Sequence, residues 1–137
     1  MAYFSNFRDS FPVNEVTQLL GIEPTESYNI GDIIIRPKND NVTSSTTHYR
    51  KETAWELSSG YQESYDINDQ LYYLLDILES KVSELNKIKD EYNVSYKFNV
   101  VIKVENNEKP AMYLERRFIS FAYSTNADID FDLYIFS

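Results

Sequence analysis

One long apolar stripe constrains the fold of this chain more than any other feature. Between residues 66 and 91, apolar side chains recur every three or four positions, the spacing of one face of an α-helix about seven turns long. These side chains are Ile67, Leu71, Leu74, Leu78, Val82, Leu85 and Ile88. Such a helix is stable in water only if this face packs against another layer of the protein. The remainder of the chain must therefore supply that layer.

The start and the middle of this helix carry further signals. Asp66 is placed to cap the N-terminus, and the negative charge of Asp69 in the first turn suits the helix dipole. Lys81 and Lys89 fall near the apolar stripe, so either their side chains reach past its edge or the helix breaks near Ser80. We expect one amphipathic helix, with the break near Ser80 as the alternative.

Alternating side chains predict the second layer. Residues 94–104 place valine, tyrosine, phenylalanine and isoleucine on one side and mostly polar residues on the other, and residues 128–136 alternate in the same way. Residues 3–8, 28–36 and 48–58 also resemble strands. Strands with one apolar and one polar side form a sheet that helices cover on one face only.

Two shorter helices complete the predicted order. Apolar spacing predicts a helix that ends at Gly21, a residue suited to the left-handed position after a helix, and a second helix over 115–125. Residues 111–114 form either a short strand or the approach to that helix. The order is β-α-β-β-α-β-(β)-α-β. We predict one α+β domain over 1–137, a two-layer sandwich with a mostly antiparallel sheet, helices on one face, a ferredoxin-like core β-α-β-β-α-β and a C-terminal α-β extension.

Composition excludes several classes of function. The formal net charge is −9, which disfavours nucleic acid and anionic membrane surfaces as partners. The absence of cysteine excludes disulfides, thiolate catalysis and cysteine-based metal sites. No motif for nucleotides, hydrolases or zinc proteases occurs, so we expect no catalytic residue and no cofactor. Without a signal peptide or a membrane-length apolar run, a cytoplasmic location is expected.

Two single residues invite a functional interpretation. His48, the only histidine, follows a polar segment, and nothing nearby in sequence supplies an oriented nucleophile or carboxylate. We therefore expect a surface histidine. Trp55, the only tryptophan, has the position of a strand residue that anchors the core with its indole N–H bonded, rather than one that stacks on a ligand.

Three aspartates share one face of the last predicted strand. Asp128, Asp130 and Asp132 occupy alternate positions, so two of them could hold Mg²⁺ or Ca²⁺. Lys97 and Lys103 lie on the polar face of the preceding long strand, and opposite charges across a sheet stabilise it. We favour the charge pairing and predict no metal site.

The polar side of the long helix is the predicted partner-binding site. Asp69, Tyr72, Tyr73, Asp76 and Glu79 lie on this side. Residues 61–93 hold eight acidic residues and three lysines. Acidic groups beside exposed tyrosines are typical of protein-binding surfaces, because tyrosine supplies contact area at low entropic cost. The alternative is a solvated helix face whose tyrosines lean on neighbouring loops.

Three sequence blocks resemble a known family. They are VTQLLGIEPT at residues 16–25, followed by Gly31-Asp32, WELSSGYQES at residues 55–64 and ADIDFDLY at residues 127–134. Their order and spacing resemble the bacterial family called domain of unknown function 4279. That family has no established activity, so the resemblance implies the fold and leaves the function open.

The functional prediction is a non-enzymatic, acidic, cytoplasmic binding module. In its concrete form it is an immunity-type or inhibitor protein that masks a basic protein partner. The alternative is a small-molecule-binding or regulatory domain that uses the open sheet face around Lys97, Lys103, Tyr134 and the segment 38–47. An enzyme that uses carboxylates alone is the third possibility.

Overall fold

The computed structural model describes residues 1–35, 46–61 and 63–136, which form one sheet and a layer of helices. The strands and helices, in chain order, are β1 (Ala2–Arg8), α1 (Val13–Leu20), β2 (Glu26–Tyr28), β3 (Thr53–Ser58), α2 (Asn68–Leu78), α3 (Val82–Tyr92), β4 (Ser95–Glu105), α4 (Arg116–Thr125) and β5 (Asp128–Phe136). A 3₁₀ turn at Glu79–Lys81 joins α2 to α3.

The sheet has the predicted topology. Its five strands run in the order β2-β3-β1-β4-β5. β1 pairs antiparallel with both β3 and β4, and β2 pairs antiparallel with β3, which is the ferredoxin-like arrangement. β5 adds to β4 in parallel through the crossover helix α4. The predicted two-layer α+β sandwich with a C-terminal α-β extension is therefore confirmed.

The core lies between the sheet and the helices. Phe4 on β1 and Phe98 on β4 are fully buried and contact the rings of Phe118 and Phe121 on α4. Trp55 on β3 is also fully buried, and its indole Nε1 donates a hydrogen bond of 3.0 Å to Thr17 Oγ1. The prediction that Trp55 anchors the core is confirmed. Alternate strand residues point away from the helices and form an open sheet face.

The prediction of one long helix is wrong. The structure shows the alternative, a break near Ser80. α2 ends at Leu78 and α3 begins at Val82, with the 3₁₀ turn between them. α2 packs against β1 and α4, whereas α3 packs against α1 and α4. The two helices therefore share α4 as a neighbour and differ in the other, which is β1 for α2 and α1 for α3. The break between them keeps both apolar faces buried, while Lys81 lies partly exposed at the turn.

The helix ends follow the predicted signals. Asp66 lies two residues before α2, and its carboxylate accepts hydrogen bonds of 2.9 Å from the backbone and side-chain amides of Asn68. Gly21 takes a left-handed conformation, with φ of 67°, and its N–H donates to the Thr17 carbonyl at 2.8 Å. Ile22 packs against the core behind this turn. These local signals are the part of the fold that neighbouring residues decide.

The predicted strands 28–36 and 48–58 are much shorter than expected. Regular pairing is restricted to β2, at Glu26–Tyr28, and β3, at Thr53–Ser58. Gly31, with φ of 87°, kinks the chain after β2. Between Gly31 and β3 the described residues form no further strand, but an isolated bridge between Ile33 and Tyr49 and a few backbone hydrogen bonds continue the pairing. Most of the predicted loop 38–47 lies outside the described residues.

Candidate functional site

The predicted partner-binding helix face is occupied by an internal cation. The Arg117 guanidinium on α4 donates from Nη2 to Asp76 Oδ1 at 2.8 Å and from Nε to Glu79 Oε2 at 2.7 Å. The same guanidinium lies 4.9 Å from the centre of the Tyr72 ring. Glu79, followed by Asp76, raises the pKa of Arg117 above its ordinary value. Arg117 thus brings three of the five predicted residues together and neutralises much of their charge.

The other two predicted residues stand apart from this cluster. Asp69 accepts a hydrogen bond of 2.6 Å from Ser64 Oγ in the segment that precedes α2. Tyr73 is 48% exposed and is the only one of the five that offers an open aromatic surface. Tyr72, Asp76 and Glu79 therefore contact Arg117, Asp69 is bonded to Ser64, and the ring of Tyr73 is exposed. This arrangement favours the alternative of a solvated helix face.

The acidic excess lies instead on the open sheet face. The helices and the 3₁₀ turn together carry seven carboxylates and five cationic side chains. The register places six carboxylates and two lysines of the strands on the open face. They are Glu26, Glu56, Glu105, Asp128, Asp130 and Asp132, with Lys97 and Lys103.

A polar concavity of about 210 Å³ lies on this face. Its lining residues come from four strands and from the segment before β3. They are Tyr3, Ser5, Phe7, Tyr28, Glu52, Glu56, Lys97 and Asn99. Tyrosine rings lie beside the carboxylates of Glu52 and Glu56, whose negative charge lets this polar surface receive a cationic group.

Glu56 and the two tyrosines define the electrostatics of the concavity. Burial, and then the charge of Glu26, raise the pKa of Glu56, although its Oε2 accepts a hydrogen bond of 3.4 Å from Ser5 Oγ. Burial, followed by Glu56, also raises the pKa of Tyr3, and it raises the pKa of Tyr28 to about 12. All three pKa values are raised because burial and the neighbouring carboxylates disfavour the negative charge that each group acquires when it ionises.

Two cations at this face are already paired with carboxylates. Lys97 Nζ lies 3.2 Å from Asp130 Oδ2, which confirms the predicted pairing of lysine and aspartate across the sheet. Arg50 Nη2 lies 3.2 Å from Glu26 Oε1, and its guanidinium is 3.8 Å from the centre of the Tyr28 ring. Besides Glu105 at the end of β4, four carboxylates at this face have no ion pair within the described part of the chain. They are Glu52, Glu56, Asp128 and Asp132.

The remaining candidates from the sequence lie outside the concavity. His48 is exposed, as predicted, and its backbone carbonyl accepts a hydrogen bond of 2.8 Å from the Ile34 N–H. In the ranges 1–35, 46–61 and 63–136, no group of three or more acidic, histidine or cysteine side chains is placed to hold a metal ion. Lys103 lies apart from the concavity, with its Nζ 4.3 Å from the centre of the Tyr61 ring.

Glu56 provides a pH-dependent test of this description. A carboxyl group with a raised pKa in the folded state destabilises the fold when it ionises, and this cost disappears once pH falls below the pKa of the unfolded chain. We expect Glu56→Gln to raise the melting temperature by about 1–2 °C at about pH 7 and to lose that gain towards about pH 4. Asp128→Asn is the exposed control in the same differential scanning calorimetry series. A gain that persists unchanged at low pH would show that ionisation of Glu56 is not its cause.

Sequence reasoning missed the centre of this site. Tyr3, Ser5 and Phe7 alternate with the buried residues of β1, and Glu56 occupies the equivalent open position of β3. This alternation of buried and exposed residues was the sequence pattern that could have placed these side chains on the open face. The short strands do not reveal which of them are neighbours, so Ser5 and Glu56, which are 51 residues apart, gave no indication that they meet.

Comparison with known proteins bears on the family alone. The described residues include no helix whose length and apolar character suit a membrane span. No curated protein and no solved structure shows significant similarity to the chain. The family model described as Domain of unknown function (DUF4279) matches residues 1–136. The chain therefore belongs to the DUF4279 family, as its three sequence blocks suggested.

Proposed function

We propose that this protein is a non-enzymatic, acidic binding module that masks a basic protein partner in the cytoplasm, as an immunity or inhibitor protein does. The net charge of −9 supports this proposal, because it would steer a basic partner towards the protein.

The open sheet face is the proposed contact surface. The observation that carries this choice is the concavity around Tyr3. There Glu56 and Asp132 have no ion pair with any described residue and are close enough to raise the pKa of the tyrosine. On the helix face, by contrast, Arg117 already binds Asp76 and Glu79. A basic partner would have to displace Arg117 there, whereas carboxylates of the open face are free to bind it.

The chemistry of the face defines the partner segment. Free carboxylates can pair with lysine or arginine side chains, and the ring of Tyr3 can stack on a guanidinium group, whereas the ring of Tyr28 already contacts Arg50. The negative charges around the concavity would set the association rate. The half-buried ring of Tyr3 would supply contacts that slow dissociation. The partner is therefore expected to present an arginine-containing or lysine-containing segment.

Two triple variants with the same change in charge test the location. The probe is a synthetic twelve-residue peptide in which arginine and lysine alternate with serine and glycine, measured by fluorescence anisotropy at low salt. The open-face variant combines Glu52→Gln, Glu56→Gln and Asp132→Asn. The matched helix-face variant combines Asp69→Asn, Asp76→Asn and Glu79→Gln.

We expect the open-face variant to weaken peptide binding by about tenfold and the helix-face variant by no more than about twofold. Circular dichroism must show that both variants are folded. Equal losses would mean that only the net charge matters, and a larger loss in the helix-face variant would place the contact on α2. Either result would overturn the assignment to the open face.

A second candidate function is small-molecule binding at one end of the sheet. A groove of about 450 Å³ lies there, lined in part by Tyr61, Ile67 and Lys103, and this volume falls within the range of known ligand sites. A ligand that binds only the folded state raises its melting temperature. A saturable rise with a small molecule that is lost in Lys103→Met would favour this function.

A further inference from the structure

Among residues 1–35, 46–61 and 63–136, β5 is a long edge strand that pairs only with β4 and leaves its other side unpaired. It spans nine residues, whereas the strand at the opposite edge, β2, spans three. On the helix side of the sheet, Phe131, Leu133 and Ile135 are 47%, 50% and 69% exposed. Their partners on β4 are Val100, Ile102 and Val104, all of which are buried. The apolar surface thus continues beyond the helices onto this edge.

The devices that normally protect an edge strand are missing from the C-terminal half of β5. Proteins block free edges with proline, lysine, bulges or very short strands, because exposed backbone groups otherwise pair with another chain. β5 contains no proline, lysine, arginine or glycine. Its only charges are Asp128, Asp130 and Asp132, in the first five residues, so Leu133–Phe136 is uncharged.

We propose that β5 pairs with β5 of a second copy of this chain, antiparallel and about a twofold axis through Leu133. This register puts Leu133 opposite Leu133 of the second copy and Phe131 opposite Ile135 on the helix side. On the open face it puts Asp132 opposite Tyr134 and Asp130 opposite Phe136. Seven consecutive residues then pair, and the two sheets form one continuous sheet with the helices on the same side.

The sequence of β5 selects this register over its neighbours. A shift of one residue would set apolar residues opposite polar ones, because side chains directly across an antiparallel pair share a face. A twofold axis through Asp132 would place two aspartates directly opposite each other. An axis through Tyr134 would leave Phe131 out of the pairing. Of these axes, only the one through Leu133 pairs the exposed helix-side residues Phe131, Leu133 and Ile135 among themselves and sets no two aspartates directly opposite each other. This self-complementarity is why the occupant is a second copy.

Salt dependence separates this dimer from binding of a basic partner. In the proposed register the aspartates of the two chains still lie diagonally across the junction, where like charges repel. Added salt screens that repulsion, so dimerisation should strengthen with salt. Binding of a basic partner at the open face should weaken under the same change, so failure of one proposal is distinguishable from failure of the other.

Cysteine cross-linking tests the register directly, because the natural chain has no cysteine. Residues directly opposite in an antiparallel pair have Cα atoms about 4.5–5.5 Å apart, within the range of a disulfide. Leu133→Cys should therefore give a covalent dimer as the main species on a non-reducing gel after mild oxidation. Phe131→Cys is the matched control, since its two copies would lie about four residues apart along the paired strands.

Sedimentation velocity on the natural chain completes the test. We expect the mass to rise from 16.1 kDa towards twice that value as the protein concentration increases. Leu133→Lys should remain monomeric, because it sets two cations opposite each other, whereas Tyr123→Lys, at an 87% exposed site on α4, should dimerise normally. A natural chain that stays monomeric, or equal cross-linking of the two cysteine variants, would overturn the proposal.

Discussion

Phe98→Ala should lower the free energy of unfolding by about 3–5 kcal/mol, because it removes a large ring from the centre of the core. Phe98 is fully buried on β4, the strand that joins the antiparallel part of the sheet to β5. Its ring centre lies 4.7 Å from that of Phe118, 5.0 Å from that of Phe4 and 5.9 Å from that of Phe121. The alanine variant therefore leaves a cavity between β1, β4 and α4.

Denaturant unfolding followed by circular dichroism measures this loss. Tyr123→Ala is the control, because Tyr123 lies on α4 but is exposed, and it should change the free energy of unfolding by less than about 0.5 kcal/mol. A loss below about 1 kcal/mol for Phe98→Ala would mean that α4 does not close over the sheet as described.

Leu78→Ala should cost about 2–5 kcal/mol, for a related reason at a different place in the core. Leu78 is the last residue of α2, immediately before the 3₁₀ turn, and it is fully buried. The substitution removes core packing where the helix breaks, so it tests whether the apolar face still points inward at that position.

The neighbouring Ile77 supplies the matched comparison for this variant. Ile77 lies on the same turn but is only partly buried, so Ile77→Ala should cost less than Leu78→Ala in the same unfolding experiment. If Leu78→Ala loses less than about half a kcal/mol, the buried face of α2 has been assigned incorrectly.

The elements predicted best from sequence are those whose residues repeat one pattern over many positions. The alternation of residues 94–104 gave β4, and the spacing of Phe118, Phe121 and Ala122 gave α4. The position of Lys81 near the apolar stripe indicated that the helix could break there. Whether the helix breaks or continues depends on which elements each half packs against. Spacing within a helix contains no information about those neighbours.

The candidate site was predicted less well, because its residues meet only through the sheet. Arg117 neutralises Asp76 and Glu79 from another helix, 41 and 38 residues away, so the local charge count overstated the acidity of that surface. Glu56 acquires its raised pKa from burial and from Glu26 on the adjacent strand. Neither effect is visible until the topology is known.

A nuclear magnetic resonance titration tests the central claim, that the open sheet face binds a basic partner, most directly. Nitrogen-15-labelled protein is titrated with the same arginine-lysine peptide while backbone amide shifts are followed across both layers. We predict saturable shifts centred on Ser5, Glu56 and Lys97, with the amides of α2 unchanged and the shifts reduced by salt. Shifts confined to residues Asp69–Glu79, or no saturable shift at any peptide concentration, would contradict the account.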